Sequence, residues 1–247
     1  MSVIAVYSTK GGVGKTTLSV DLAWRSAVLG GHKTLLWDLD VQGGAGYLLG
    51  EDEQPRLRAA GVFHREGRPD QLICETAYPN LSLLSADDSL RSLQLHLARI
   101  GQKRRLANLT NMLRGRYSRI ILDCPPLLGE VSDQIIAAAD VLIVPLPVSP
   151  LSFRALDTLR RELKREHGRH PPLLPVLSMY DGRRKAHRDL REGEMAPYPA
   201  IPWSSAIEQT AFRRAPIGTF APHAEPAQAL DRLWRVIEAK VQGARAA

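Results

Sequence analysis

The sequence predicts an α/β fold, one domain over residues 1–247 with a mostly parallel, twisted sheet and helices on both faces. Three observations carry that expectation. Short apolar runs without polar alternation recur along the chain, as expected of strands buried on both sides. Between them lie stretches whose apolar residues recur at helical spacing, so strands and helices alternate. No repeat, low-complexity segment or sharp composition shift divides the 247 residues, which suffice for one full core.

Composition narrows the function classes. Hydrophobic content of 44% and charged content of 24% suit a water-soluble globular chain. No run approaches about 18 consecutive apolar residues, so no transmembrane helix is expected, and the short polar stretch at 243–247 leads to no expectation of a stable membrane anchor. The first strand begins almost at the N-terminus, leaving no room for a signal peptide. Cys74 and Cys124 have no metal-ligand spacing and make no disulfide framework. A cytoplasmic location is therefore expected. The net charge is +7 and uneven: residues 1–150 hold 16 Lys/Arg and 15 Asp/Glu, residues 151–247 hold 17 and 11. That basic C-terminal part suits a polyanion, and equally an ordinary solvated surface.

Residues 3–7 read as a buried strand and residues 18–29 as a helix. Between them lies Lys10-Gly-Gly-Val-Gly-Lys-Thr-Thr17. Strand, glycine-rich loop and helix, in that order, form the context of a phosphate-binding loop. Gly11, Gly12 and Gly14 let the backbone curl around Val13 so that N–H groups face a phosphate chain. Lys15 is placed to reach the β- and γ-phosphates, and the Thr16 hydroxyl to bind Mg²⁺, with Thr17 completing the loop. The fold class is thus a single-domain P-loop NTPase. The general pattern G-x-x-x-x-G-K-[ST] wants a glycine where this chain has Thr9, and a second lysine, Lys10, stands at the loop's start.

Residues 33–40 form a second apolar strand ending in Asp38 and Asp40, at the sheet edge where ligands gather in open α/β folds. Residues 50–72 read as an irregular polar connection around a short helix, and 81–85 as a strand. Residues 89–114 suggest long helical segments, with a break near Gly101 and a solvated basic cluster, Lys103-Arg104-Arg105. Residues 118–123 form a strand that ends in Asp123 and then two prolines, so Asp123 is placed to hold a water ligand of Mg²⁺. A helix over 131–139 and a strand over 141–146 follow. Leu156, Leu159 and Leu163 share one face of a surface helix over 151–166. Residues 173–179 are a further strand, and Arg183 to Arg188 open another helix. The last helix, over 227–242, sets Leu230, Leu233, Trp234, Ile237 and Val241 in one stripe.

The K-G-G-V-G-K-T-T form resembles the deviant Walker A motif of the ParA/MinD family of dimeric ATPases. Asp38-Leu-Asp-Val-Gln42 is similar to that family's D-x-D-P-Q switch I, with Val41 in place of proline and Gly43-Gly44 in place of Gly-Asn. Asp123-Cys-Pro-Pro126 resembles its D-x-P-P switch II, and residues 76–84 its x-Y-P-N-L-x-L-L segment. Nitrogenase iron proteins share this loop type and ligate a cluster through cysteines. With Cys74 in a distant connection that pattern is not met, and Cys124 reads as a small buried residue. Met179-Tyr-Asp-Gly-Arg183 resembles the strand-to-loop segment that borders adenine.

The resemblance implies ATP as substrate and Mg²⁺ as cofactor. It makes Asp40 the residue that positions the attacking water, and Asp38 a support for Mg²⁺ through its water shell. Lys10 is expected to cross to the phosphates of a second subunit in an ATP-dependent homodimer. Ser178, Met179, Pro202 and Trp203 are the residues expected near adenine. Trp203 suits the adenine pocket, a dimer surface or ordinary core, with packing at the core edge favoured. The family likeness also implies nonspecific DNA binding, for which Arg183, Arg184, Lys185, Arg188, Arg213 and Arg214 are the candidate patch. Here Trp203 and Arg214-Ala215 stand where DNA-binding members often carry an arginine after I-P and a Gly-Lys before P-I. The resulting expectation is a nucleoid-associated ATPase, slow alone and stimulated by a ParB-like or adaptor protein, that partitions DNA or positions a protein cargo. A MinD-like membrane-cycling regulator is the rival, opposed by the short polar stretch at 243–247. A second rival is a scaffold that holds nucleotide with little hydrolysis, suggested by the altered residues 41–44.

Overall fold

A computed structural model describes residues 1–51, 58–64, 67–93, 97, 104–126, 129–166, 170–193 and 195–246. Its eight strands are β1 (Ser2–Val6), β2 (Thr34–Asp38), β3 (Ile73–Glu75), β4 (Leu81–Leu84), β5 (Arg119–Asp123), β6 (Val141–Pro147), β7 (Leu173–Tyr180) and β8 (Ala200–Pro202). They form one sheet in the order β3-β4-β2-β5-β1-β6-β7-β8. Every neighbouring pair is parallel except β3 with β4.

The apolar strands lack alternation because both sheet faces are covered. Within β1, Val3 and Ala5 enter one hydrophobic cluster and Ile4 and Val6 the other. Leu35 and Trp37 of β2, and Ile120 and Leu122 of β5, join the first cluster; Leu36 and Ile121 join the second. Helices Arg105–Met112, Glu130–Ala138 and Pro150–Glu166 cover the first face through Leu106, Leu109, Ile135, Leu156 and Leu163. Helix α1 (Lys15–Trp24) and the final helix, Glu225–Ala246, cover the second through Leu18, Leu22, Leu233 and Ile237. Period-two side-chain direction thus turns a uniform apolar run into two cores.

The register positions the site. Asp123 pairs with Val6 of β1 on one side and with Asp38 of β2 on the other. All three strands run parallel, so the loop after β1 and both carboxylates share one edge of the sheet.

Several expectations change. The short strands β3 and β8 escaped a reading based on apolar runs, since three residues carry no period. The supposedly polar connection at 50–72 contains a 3₁₀ turn, Ala59–Phe63, whose Ala59, Ala60, Val62 and Phe63 are buried. The Phe63 ring lies 6.1 Å from that of Trp37. Arg105 is not a solvated cation: it is buried, and its guanidinium donates to the carbonyls of Val62, His64 and Gly67. Gly101 and Lys103 lie outside the described residues. The helix expected over 18–29 starts earlier, at Lys15, and its last turn, Arg25–Leu29, is π-helical. Among the described residues no helix is long and apolar enough to cross a membrane.

The final helix is fastened to β5 by charge as well as by its stripe. Arg119 donates through Nε and Nη2 to both Glu238 oxygens at 3.0 and 2.9 Å, and His32 Nε2 lies 3.1 Å from the same carboxylate. Arg119 is 4% exposed and Glu238 16%. Burial raises the Glu238 pKa, but the hydrogen bonds and charge of Arg119, with His32, outweigh it and hold the carboxyl below its ordinary value. A depressed acid pKa contributes stability above the unfolded value and loses it as pH falls through the folded one. Glu238→Gln should therefore cost about 1–3 kcal/mol at pH 7 and make the stability less acid-sensitive below about pH 4.5, as read by urea melts across pH.

Candidate active site

The loop after β1 is shaped by its backbone. Gly12 and Gly14 have φ of +69° and +86°, in the left-handed region that glycine enters without strain. A Cβ on either would meet nothing within 4 Å, so torsion rather than crowding demands glycine there. No side chain caps α1 behind Gly14, leaving its first N–H groups available to an anion. Lys15 is 6% exposed, and its Nζ donates to the Lys10 carbonyl at 3.1 Å. Thr16 and Thr17 continue into the first turn. The Thr16 methyl lies 3.0 Å from where a Cβ of Gly44 would stand, so the loop touches the helix that follows Asp40.

Two carboxylates face this loop. Asp38 is 1% exposed; its Oδ1 accepts from the Asp40 N–H at 2.9 Å and its Oδ2 from the Ala45 N–H at 3.0 Å. It thereby pins both ends of the 40–45 segment and orients α2 (Gly44–Leu49). Asp40 is half-buried, and its Oδ1 accepts from the Gln42 N–H at 3.1 Å. Asp123 is fully buried; Ser19 Oγ donates to its Oδ1 at 2.9 Å, while Oδ2 has no hydrogen-bond partner among the described residues.

Burial pushes the Asp123 pKa up to about 6, opposed by the Thr16 and Ser19 hydroxyls and by Lys15, and assisted by the charge of Asp40. Asp38 is raised well above its ordinary value, first by burial and then by the charge of Asp123. Two buried acids that repel one another, one with an orphaned oxygen, fit a divalent cation held beside Thr16. Ser19 is a site residue that the sequence reading missed. Its place one helical turn beyond Lys15 is the signal that could have found it. Cys124 is buried as expected, and burial pushes its thiol well above the ordinary value.

Beside Val13, Gly14 and Thr17 opens a cavity of about 260 Å³. Ser178, Met179, Pro202 and Trp203 all line it, so the four residues expected near a base converge from β7 and β8. Trp203 differs from the favoured core-edge packing. It is 50% exposed at the cavity rim, with the Arg183 guanidinium 5.8 Å from its ring. The β7–β8 pairing is what carries it there, since the Trp203 N–H bonds to the Tyr180 carbonyl at 2.8 Å. On the other side of the loop, Lys10 lines a second hollow with Leu151, Arg154 and Glu162 from helix Pro150–Glu166.

The six candidate cations fall into two groups. Arg183, Arg184, Lys185 and Arg188 are exposed around the turn after β7. Within that group Arg183 is paired with Asp181 at 2.9 and 3.1 Å, and Arg188 Nη1 donates to the Gly182 and Arg183 carbonyls. Arg213 and Arg214 end helix Ser205–Arg213. Arg213 is exposed, whereas Arg214 is half-buried and turned back onto α2. Its Nε donates to the Tyr47 carbonyl at 3.1 Å, and its guanidinium lies 4.8 Å from the Tyr47 ring centre. The left-handed backbone of Arg214, φ +52°, aims it there. Arg214 is thus a strap between two elements, not the solvent-facing cation expected.

Residues 1–172 match the family described as AAA domain. The chromosome partitioning protein ParA of Caulobacter vibrioides is 32% identical over 191 residues, covering 74% of this chain and 71% of that protein. Among solved structures, cobyrinic acid a,c-diamide synthase from Mycobacterium smegmatis, with bound ATP analog and magnesium, superposes with a TM-score of 0.81 at 26% identity. That match covers 96% of this chain and 94% of the other. A Cyanothece McdA variant in complex with ATP gives a TM-score of 0.83 over 96% of each chain, and at 22% identity it shows the likeness of fold alone. With the glycine-rich loop, two converging carboxylates and relatives of this extent, the chain belongs to the ParA/MinD family of P-loop ATPases.

Proposed function

We propose that this chain is an ATP- and Mg²⁺-dependent ATPase that dimerises with ATP, binds DNA nonspecifically in that state, and partitions or positions DNA or a protein cargo. The observation that carries the reading is the juxtaposition of Lys15, Asp38 and Asp123 at one sheet edge with a second lysine at the loop's outer end. Lys15 and the loop N–H groups bind the phosphates, and Thr16 with Asp123 and Asp38 holds Mg²⁺, the acids through water. Bound Mg²⁺ supplies neutralisation of the phosphate charge. Asp40 orients the attacking water, because phosphoryl transfer depends more on aim than on a strong base. The apolar cavity receives adenine.

Lys10 acts across a dimer interface. The adjoining face of helix Pro150–Glu166 carries Leu151, 69% exposed, with Arg154 and Glu162 beside it, an apolar surface of mixed charge that a second copy can cover. A cation supplied in trans in this way can contribute about 10³–10⁵ in rate. Chain turnover is slow alone and rises with a ParB-like or adaptor protein. The exposed Arg183, Arg184, Lys185, Arg188 and Arg213 contact DNA phosphates on the nucleoid, while Arg214 stays on Tyr47.

The central test is DNA binding with and without ATP. Affinity should rise with ATP for every duplex sequence, and replacing Arg183, Arg184, Lys185 and Arg213 by alanine should weaken it and flatten its salt dependence. Equal affinity without nucleotide would falsify the coupling. For the interface, Lys10→Ala should retain ATP binding within about threefold, remain monomeric in light scattering and lose roughly 10³ in turnover; normal hydrolysis by a monomer sinks the cross-subunit role. Asp123→Asn should remove a buried charge, raise the stability of the nucleotide-free protein at pH 8 by on the order of 1–3 kcal/mol, and abolish Mg²⁺-dependent hydrolysis. The sign follows from the raised pKa: ionising Asp123 costs native stability, fully so above about pH 6.

A further inference from the structure

The cavity beside the loop is lined by the Thr17 hydroxyl and by two further polar side chains, Ser178 and Glu208, that no described residue engages. Ser178 Oγ is buried in the wall with no hydrogen-bond partner. Glu208, in the first turn of helix Ser205–Arg213, also lines the space, and among the described lining residues it alone is ionisable. No hydrogen bond or ion pair with the described residues holds its carboxylate. Its backbone is fixed all the same, the N–H bonding to the Ser204 carbonyl at 3.3 Å while Ser204 caps the helix. The rest of the surface is mainly apolar, with Val13, Pro145, Val176, Met179 and Ile201 among its walls and the hydroxyl-bearing Thr17, Ser204 and Thr210 between them.

The chemistry of these two groups is unequal. A hydroxyl both donates and accepts, so Ser178 is satisfied by a ring nitrogen or by an N–H. An ionised carboxylate only accepts. A flat heterocycle whose facing edge carries an acceptor opposes that charge, and one with a bare C–H leaves it to water, whereas an exocyclic amine donates to it directly.

We infer that Glu208 is a specificity-determining residue: it accepts from the exocyclic amine of the base, so that the cavity selects aminopurine nucleotides over purines lacking that donor. The inference rests on the proposed nucleotide reading and adds the residue that discriminates. Sites built to receive a donor reject analogues without it more strongly than apolar pockets reject a missing methylene. Because Glu208 is exposed, water substitutes in part, and the selectivity is about three- to tenfold.

The experiment compares Mg²⁺-ATP with Mg²⁺-purine riboside 5′-triphosphate, which has hydrogen in place of the amine, by equilibrium binding to the full chain. Wild type should prefer ATP by about three- to tenfold. Glu208→Ala should bring the ratio close to one by weakening ATP alone, leaving the affinity for the purine analogue within about twofold. Glu208→Gln, whose amide oxygen still accepts, should restore most of the preference. A merely structural role would weaken both ligands together and leave the ratio unchanged, and that outcome overturns the assignment. If wild type binds neither triphosphate, the nucleotide reading itself fails, which is a different result from ATP binding with an unaltered ratio in Glu208→Ala.

Discussion

Asp38 and Asp123 stand side by side in adjacent parallel strands, both almost wholly removed from water. Two acids in that position oppose each other, and neither has a guanidinium to neutralise it. Asp38 is stabilised by two backbone N–H groups and Asp123 by Ser19 and by the charge of Lys15, itself buried and resting on the Lys10 carbonyl. This excess negative charge beside the glycine-rich loop is the constraint around which the molecule is arranged. Ionising these acids costs the protein stability, because burial opposes the charge on both and each repels a neighbouring carboxylate.

The same carboxylates tie the site to distant surfaces. Asp38 holds the segment that leads into α2, α2 presents Tyr47, and Tyr47 is clasped by Arg214 at the end of the helix that lines the base cavity. Arg183 stacks beside Trp203 at that cavity's rim. The basic groups therefore lie one or two contacts from residues that a nucleotide would touch. The arrangement of this surface is set by contacts inside the protein. Its charge alone would not have indicated this, because part of it is spent internally: Arg183 on Asp181, Arg188 on two carbonyls, and Arg214 on Tyr47.

Legibility divided along a physical line. The loop at 10–17 and the strand ends at Asp38 and Asp123 were readable because each is a local pattern in which residue type, order and spacing impose the conformation. The long strands were readable because burial on both faces writes an unbroken apolar run. β3 and β8 were not, since three-residue strands depend on the neighbour they pair with. Ala59–Phe63 looked polar by its surroundings, yet it buries Phe63 near Trp37 across the first face of the sheet. Arg105 looked solvated, and its fate depended on three carbonyls about forty residues earlier.

By itself, the sequence determined the fold class, the phosphate loop and the identity of the acids at the sheet edge, because short-range sterics and hydrophobic periodicity act within a few residues. Tertiary structure alone decided which side chains meet. The parallel register set Asp38 against Asp123, and Ser19 came under Asp123 through helix packing. The β7–β8 pairing brought Trp203 out to the cavity rim, and Glu208 reached the same cavity from the following helix. A left-handed backbone turned Arg214 inward. Each of these depends on contacts between distant parts of the chain, whose geometry is set only when the sheet is assembled.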